Sequence, residues 1–144
     1  RRFTRAYGPA GARDLAYWSG LPAREAARAF ALVGPVPDPP APGGRPPVRL
    51  LPAFDGYLLG HRDRTPIVAP EHADRLTSGS WILPSVLIGG RVAGTWSRAR
   101  ARGGATVTIS PFARVPRSAM PGLRAEVADV GRFLGLPATL VVED

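Results

Sequence analysis

The protein has 144 residues, of which 19 are basic and 11 acidic, and its formal net charge at pH 7 is +8. It contains no cysteine and only two histidines, which excludes a disulfide framework and a thiolate zinc site and makes any metal centre unexpected. No apolar run approaches the roughly 20 residues of a membrane span, so we expect no membrane contact. Taken together, these features lead us to expect a cytoplasmic protein with no cofactor and no metal.

Three short helices are predicted before residue 34. Phe3 and Tyr7 lie four residues apart and share one helix face, which ends at Gly8-Pro9. A second helix is predicted from Gly11 to Ser19. Gly20 follows it, as glycine commonly does just beyond a helix C-terminus.

The third helix is predicted to begin near Pro22, because the backbone N–H that proline lacks would have no acceptor within the first turn of a helix. Its apolar residues recur at helical spacing and are predicted to face a core: Ala26, Ala27, Phe30 and Val33. Two helices joined by a tight turn with glycine are typical of a helix-turn-helix, here winged-helix-like, whose second helix enters the major groove.

Two arginines on the third helix have two interpretations. Arg24 and Arg28 lie four residues apart on a solvent-facing stripe and are candidate groove or phosphate contacts. The alternative is an ordinary solvated helix face on which the two arginines pair with Glu25 or Asp14.

Composition changes after the third helix. Residues 34–47 read GPVPDPPAPGGRPP, and repeated proline blocks helix and sheet pairing and favours an extended spacer. We therefore expect a helix-turn-helix at 1–33, a linker at 34–47 and a β-rich C-terminal domain at 48–144.

An antiparallel meander with a short helix is predicted from residue 48 onward. Strand 48–51 ends at Pro52, and Asp55 is a suitable N-cap for a helix that contains Leu58. Gly89-Gly90 forms a two-residue hairpin turn, because both positions tolerate positive φ. Three strands are expected at 82–88, 91–98 and 105–110, with Pro84 interrupting the first and a loop at 99–104.

The C-terminal part carries the clearest helical pattern. Leu123, Val127, Val130 and Leu134 follow the spacing i, i+4, i+7, i+11, and Gly135 lies beyond the end of that helix. A last strand is expected at 139–142. The predicted fold class is therefore α+β, with an N-terminal helix-turn-helix followed by an antiparallel β-rich region and a C-terminal amphipathic helix.

The basic excess indicates a polyanionic partner, and nucleic acid is the commonest one. Arg98, Arg100 and Arg102 concentrate positive charge between the second and third meander strands. A narrow ribbon with such a tip can follow a DNA backbone or enter the minor groove. The alternative is that these arginines protect a hairpin end against edge-to-edge aggregation.

A second charged cluster is His61-Arg62-Asp63-Arg64. A carboxylate between two arginines is typical of ion pairs that hold a turn in place. Arg62 and Arg64 could instead bind a phosphate, with Asp63 orienting one guanidinium. His61 and Asp63 are candidate accessory groups, but no partner for acid–base work is evident, so no catalytic residue is predicted.

Three tryptophans are further candidates for contact with DNA. Trp18, Trp81 and Trp96 could stack on bases, although isolated tryptophans more often belong to a core. Trp96 is the one singled out as a candidate accessory residue. The chain contains no phosphate-binding glycine loop and no G-x-S-x-G or H-E-x-x-H motif.

Several segments together resemble a known family. They occur in the order YGPAGARDLAYWSGL (Tyr7–Leu21), VRLLPAFDGYLLGHRDR (Val48–Arg64), VLIGGRVAGTWSR (Val86–Arg98), Pro111-Phe112 and GRFLGL (Gly131–Leu136). On these segments the chain resembles the bacterial winged-helix DNA-binding family that includes the AlkZ/YcaQ-type alkylpurine DNA glycosylases. The resemblance spans nearly the whole chain, and the combination of LLPAFD…RDR with GTW is its most specific part.

The resemblance implies tandem winged helices followed by a β-rich C-terminal region. Glycosylases of this family remove alkylated bases and can unhook interstrand crosslinks, with a Gln-x-Gln or Gln-x-Asp catalytic motif in their N-terminal part. This chain contains no glutamine and begins at Arg1. The resemblance therefore implies either a C-terminal portion that works with an N-terminal region beyond this chain, or a non-catalytic relative. The β-hairpin that usually follows the third helix in the family is replaced by the proline-rich segment.

Three functions stand as hypotheses. The first is double-stranded DNA binding at the nucleoid, as the C-terminal part of a DNA glycosylase-like repair protein acting on alkylated or crosslinked bases. The second is a sequence-specific winged-helix transcriptional regulator, in which Arg24 recognises a guanine. The third is an interaction domain that binds no DNA.

Overall fold

The computed structural model describes residues 1–34 and 47–143. They fall into two compact units: the N-terminal unit holds 1–34 with 55–64, and the sheet unit holds 47–54 with 65–143. The predicted linker 34–47 lies, apart from its two end residues, outside the described residues. The predicted domain bounds 1–33 and 48–144 stay a prediction, and the structure groups 55–64 with the N-terminal unit.

Three helices open the N-terminal unit, as predicted. They are α1 (Arg2–Tyr7), α2 (Ala12–Ser19) and α3 (Ala23–Val33). At the start of α2 the Gly11 N–H donates to Asp14 Oδ2 at 2.8 Å. At its end Gly20 adopts the left-handed conformation, with φ 72°, and its N–H donates to the Ala16 carbonyl. A side chain would be strained at that φ, which is why glycine ends this helix well.

The buried face of α3 is narrower than its sequence predicts. Ala26 is fully buried, and Phe30 and Val33 are partly buried, but the prediction that Ala27 faces a core is wrong because Ala27 is exposed. Helix α3 packs against α2. Consecutive helical residues are about 100° apart around the axis, so Ala27 lies outside the narrow stripe that Ala26 occupies.

A fourth helix, α4 (Gly56–Leu59), completes the N-terminal unit. Its predicted N-cap is confirmed, since Asp55 Oδ1 accepts a hydrogen bond from the Tyr57 N–H at 2.8 Å. The Tyr7 ring lies directly against the α4 backbone. A Cβ added at Gly56 would lie 2.9 Å from the Tyr7 hydroxyl, and one at Gly60 would collide with the ring itself.

The sheet unit is built on five strands in the order β1-β4-β5-β6-β7. Neighbours from β1 to β6 pair antiparallel, as the meander predicts, and β7 pairs parallel to β6. Two short strands, β2 and β3, pair separately with each other. The seven strands are β1 (Val48–Leu51), β2 (Thr77–Ser78), β3 (Trp81–Ile82), β4 (Ser85–Ile88), β5 (Arg91–Ala101), β6 (Gly104–Pro111) and β7 (Ala138–Val142).

One strand prediction is confirmed and another is wrong. The predicted strand 82–88 is interrupted at Pro84 as expected, and its two parts join different sheets: β3 pairs with β2, whereas β4 joins the large sheet. The predicted loop 99–104 is wrong, since β5 and β6 stay paired as far as Ala101 and Gly104. The turn consists of Arg102 and Gly103, and Gly103 has φ 85°. One glycine with positive φ is enough for so tight a turn, and the alternating Arg-Ala sequence before it gives little local indication of a strand.

Helix α5 (Met120–Leu134) covers one face of the sheet. Leu123 and Val127 are buried, and Val130 packs at the edge of the same core, which confirms the predicted amphipathic helix. Gly135 ends it in the left-handed conformation, with φ 68°. Two 3-10 segments, Pro70–Leu76 and Arg117–Ala119, were not predicted from the sequence. The core residues are Val48, Val86, Val107, Ile109, Ala119, Leu123 and Val127.

Candidate nucleic-acid interface

The hairpin of β5 and β6 carries three of the predicted DNA contacts. Because β5 stays extended to Ala101, Arg98 and Arg100 point to the same side of the hairpin. Their cross-strand neighbours in β6 are Val107 and Ala105. Arg102 lies in the turn itself. The ribbon thus places two guanidinium groups on one side and a third at its end.

This arginine tip (Arg98, Arg100 and Arg102) extends beyond the neighbouring strand on the β4 side, whereas β7 borders β6 as far as Ala105. Strand β4 pairs with β5 only from Arg91 to Thr95. All three tip arginines are exposed, and in the described part of the chain no salt bridge holds any of them. Their positive charges are therefore available to an outside partner.

The arginines of α3 are differently placed. Arg24 Nε lies 3.3 Å and Arg28 Nη1 3.8 Å from the same Glu25 carboxylate oxygen. Both side chains are about four-fifths exposed, and such pairs contribute little to stability and exchange readily with other partners. Pairing with Glu25 is thus observed, whereas the Asp14 carboxylate accepts from the backbone N–H groups of Gly11 and Arg62.

The segment His61–Arg64 is held by the rest of the N-terminal unit. His61 Nε2 lies 2.8 Å from the Tyr7 carbonyl oxygen and must donate to it. His61 Nδ1 is buried and has no hydrogen-bond partner among the described residues. A buried nitrogen cannot reach a substrate, so this geometry does not favour His61 as a general base.

Arg62 and Arg64 differ in how free their side chains are. The Arg62 backbone N–H donates to Asp14, but its side chain is exposed. The Arg64 side chain donates to the Leu58 carbonyl at 2.8 Å and to the Tyr17 hydroxyl at 3.3 Å. Of the two, Arg62 is better placed for a phosphate.

The three tryptophans have three different environments. Trp96 packs at the edge of the sheet core and donates its indole N–H to the Leu51 carbonyl at 2.8 Å, which favours the interpretation of this tryptophan as a core residue. Trp18 contacts the rings of Phe3 and Tyr7 within the N-terminal unit. Trp81 is 56% exposed and meets the ring of Phe54.

Two features of the sheet unit are not predictable from the local sequence. One is the pairing of Phe54 with Trp81, which no local pattern indicates. The other is Arg75, whose guanidinium lies 4.5 Å from the centroid of the Phe112 ring and donates to the carbonyls of Pro111 and Phe112. These residues border an open cavity of about 730 Å³ that Arg114 and Glu143 also line. Arg75 is held by backbone carbonyls and serves mainly to fix this loop.

Neither a metal centre nor a membrane span is found in the described part of the chain. Across residues 1–34 and 47–143, no three histidine, aspartate or glutamate side chains come together as metal ligands would. Over the same residues, every helix is too short or too polar to cross a membrane.

Known proteins share both the sequence pattern and the fold of this chain. The family model described as "DNA glycosylase AlkZ-like" matches residues 1–133. An interstrand DNA cross-link repair glycosylase of Streptomyces sahachiroi is 34% identical over 99 residues, which cover 65% of this chain and 26% of that protein.

The fold is also similar to a solved structure. The Streptomyces sahachiroi DNA glycosylase AlkZ aligns with a TM-score of 0.66 and 26% identity, over 96% of this chain and 43% of that one. The chain therefore spans about a quarter of the curated relative and less than half of the solved relative.

Proposed function

The chain belongs to the AlkZ-like DNA glycosylase family, and on that premise we propose that it binds double-stranded DNA as the C-terminal part of a repair glycosylase acting on alkylated or crosslinked bases. Its similarity to a cross-link repair glycosylase supports the choice of substrate class. In the proposed arrangement this chain holds the duplex. A Gln-x-Gln or Gln-x-Asp motif for bond cleavage would belong to another part of the protein, because this sequence contains no glutamine.

The observation that carries the proposal is the arginine tip. Alternate residues of a strand are about 6.7 Å apart, so Arg98 and Arg100 present two charges side by side to one backbone. At Arg98 and Arg100 the hairpin is bordered by β7 on its β6 side, but no strand of the described residues follows β5 on the other side. This open edge can lie along a DNA backbone, and arginine is favoured in the minor groove by its negative potential. The net charge of +8 supplies the long-range attraction that such a contact needs.

The remaining predicted contacts take secondary places in this proposal. Arg24 and Arg28 can reach phosphates once they release Glu25, which is an exchange between exposed charges. Arg62 can also reach a phosphate, because its side chain is exposed. Arg64 comes last, since its guanidinium already has two protein partners.

A salt series tests the proposal. The affinity of the chain for a short random duplex, measured by fluorescence anisotropy, should fall steeply with salt, with a slope of log affinity against log salt of roughly −0.9 per phosphate engaged. Replacing Arg98 and Arg100 by alanine should make that slope shallower by up to about 0.9 for each phosphate that is no longer neutralised. Arg102→Ala should weaken binding in the same way.

The matched control removes two arginines that the protein itself uses. Arg91 donates to the Pro66 carbonyl and Arg132 pairs with Asp129, so their double alanine variant has the same net charge as the Arg98, Arg100 variant. Its slope should stay close to that of the unmodified protein. Absence of binding at about 50 mM salt would overturn the proposal and leave the interaction domain as the function.

A transcriptional regulator is the second candidate, and the packing of α2 on α3 favours it. The two helices are joined at Gly20, as in a helix-turn-helix, and α3 would be the helix that enters the major groove. Strong preference for one operator over random duplex would support this candidate. Preference for alkylated over undamaged duplex would support the repair function.

A further inference from the structure

Two aromatic rings form an exposed pair on the sheet unit. The ring centroids of Phe54 and Trp81 are 4.8 Å apart, and their planes meet at 75°. Phe54 is 39% and Trp81 56% exposed. Edge-to-face pairs of this kind usually help to fill a core, whereas here a large part of both rings faces solvent.

The backbone at Phe54 is held in an unfavourable conformation. Phe54 has φ 56°, and it is the only residue other than glycine with positive φ in the described part of the chain. For a bulky side chain this is a genuine outlier, and such outliers persist only where the surrounding structure imposes them. Glycine would adopt this φ without strain, so the strained position displays a phenyl ring that the turn itself does not require.

Trp81 is directed outward by the short hairpin of β2 and β3. Ile82, the next residue, is buried, and it pairs with Thr77 of β2. Because neighbouring residues of a strand point to opposite sides, burial of Ile82 places the Trp81 indole on the solvent side. The other two tryptophans lie in different surroundings: Trp96 donates its indole N–H to a carbonyl, and Trp18, which is 48% exposed, packs on Phe3 and Tyr7 in the N-terminal unit.

We propose that Phe54 and Trp81 form a stacking platform for a nucleobase that has left the DNA stack. This inference rests on the proposed DNA-binding function. Aromatic rings stack on any base, because every base has a π face. Enzymes that act on bases in DNA extrude them from the duplex, and apolar side chains often occupy the space between separated base steps.

Charge favours a nucleic acid over a protein surface as the occupant of the platform. The chain carries a net charge of +8, and the arginine tip lies on the same sheet unit as the aromatic pair. A basic unit that also displays two exposed aromatic rings combines backbone neutralisation with base stacking, which is how proteins bind unpaired nucleotides.

The test compares three duplexes of the same sequence with the full chain at one low salt concentration. The first is fully matched, the second has one unpaired adenine, and the third has an abasic residue in place of that adenine. The abasic duplex keeps the flexible backbone but offers no base to stack on. We expect the unpaired-adenine duplex to bind about fivefold or more tightly than the abasic one, which is the low end of the effect of base–aromatic stacking.

Variants assign that preference to the aromatic pair. Trp81→Ala and Phe54→Ala should bring the affinity ratio of the two duplexes close to one, while Trp81→Phe should retain part of it. Phe133→Ala is the matched control, because Phe133 is also an exposed aromatic residue of the sheet unit, 88% exposed on α5. It should leave the ratio unchanged. Phe54→Gly, which suits the positive φ, provides a second variant should Phe54→Ala fold poorly.

The failure of this inference can be distinguished from failure of the proposed function. A chain that binds all three duplexes equally, with the expected salt dependence, overturns the platform and leaves the DNA-binding function standing. The same holds if Trp81→Ala changes the ratio no more than Phe133→Ala does, as it would if the pair covered a protein surface. A chain that binds no duplex at all overturns both.

Discussion

Tyrosine side chains show how one residue type serves different purposes in the N-terminal unit. The Tyr7 ring packs on the α4 backbone, where glycine at 56 and 60 leaves room for it. Tyr17 is half exposed and accepts a hydrogen bond from Arg64. Burial raises the pKa of the Tyr57 phenol above its ordinary value, because removal from water disfavours the phenolate.

The raised pKa of Tyr57 makes stability depend on pH in the alkaline range. The folded chain favours the neutral phenol, so the stability that Tyr57 contributes is fully present below the unfolded-state pKa of about 10. It is lost as the pH rises from there through the folded-state pKa. We predict that the melting temperature falls above about pH 10 and falls less in Tyr57→Phe, which has no phenol to ionise.

Thermal melts of both proteins across the alkaline range measure this effect. At neutral pH the difference in melting temperature between them should be constant, which serves as the internal control. Parallel decreases in the two proteins above about pH 10 would show that Tyr57 does not control the change.

Edge strands are the elements whose hydrogen bonds most need explanation. Strand β1 lies at one edge of the sheet, and α5 covers its backbone with Glu126. One carboxylate oxygen of Glu126 accepts from the Leu50 N–H at 2.9 Å, and the other lies 3.1 Å from Arg49 Nη1. The helix thereby satisfies a donor that would otherwise invite pairing with another strand.

We predict that Glu126→Ala lowers the free energy of unfolding by about 1–3 kcal/mol, because it leaves the Leu50 N–H without its acceptor. Glu126→Gln should lose less, since an amide oxygen can still accept. Urea denaturation followed by circular dichroism gives both values. Asp129→Ala on the same helix is the control: its pair with Arg132 is exposed and should change stability by less than about 0.5 kcal/mol. Equal losses in Glu126→Ala and Asp129→Ala would refute the role given to Glu126.

The end of β5 also depends on its hydrogen-bonded neighbour, because there it is paired with β6 alone. Beyond Thr95, β5 has no β4 neighbour but remains a strand because β6 pairs with it to the turn. This extension makes Arg98 and Arg100 neighbours on one side of the ribbon. A flexible loop at 99–104 would have left their directions undefined.

At the scale of the whole molecule, the N-terminal unit is assembled from two stretches far apart in the chain. Residues 55–64 join 1–34 through the Tyr7 ring on α4, the bond between His61 and the Tyr7 carbonyl, and the bond from the Arg62 N–H to Asp14. The short helix α4 has little stability of its own, because isolated helices of one turn do not persist in water.

We predict that Tyr7→Ala increases hydrogen exchange in residues 56–62, about 50 positions away in sequence, because the ring that packs on α4 is removed. Exchange in β5 and β6 should stay unchanged. Leu32→Ala, at an 86% exposed position of the same unit, is the control and should alter neither region. Unchanged protection of the Gly60 amide in Tyr7→Ala would contradict this account of the unit.

The amino-acid sequence by itself was sufficient for the α+β class, the order of the α-helices and of the five strands of the large sheet, the amphipathic face of α5 and the glycines at helix ends. It also sufficed for the family resemblance, because LLPAFD, RDR and GTW are read directly from neighbouring residues. Each of these features is local: helical and strand periods, capping and turn preferences all act within a few residues.

Only the tertiary structure decided which distant residues meet. The length of β5 depends on its pairing with β6, the place of 55–64 depends on the Tyr7 ring, and the meeting of Phe54 with Trp81 depends on two turns 27 positions apart in the sequence. Such contacts arise from packing between segments, and a positive φ at a phenylalanine is imposed by that packing against the residue's own preference. For this reason local patterns place the arginines near one another but give no sign of the aromatic pair.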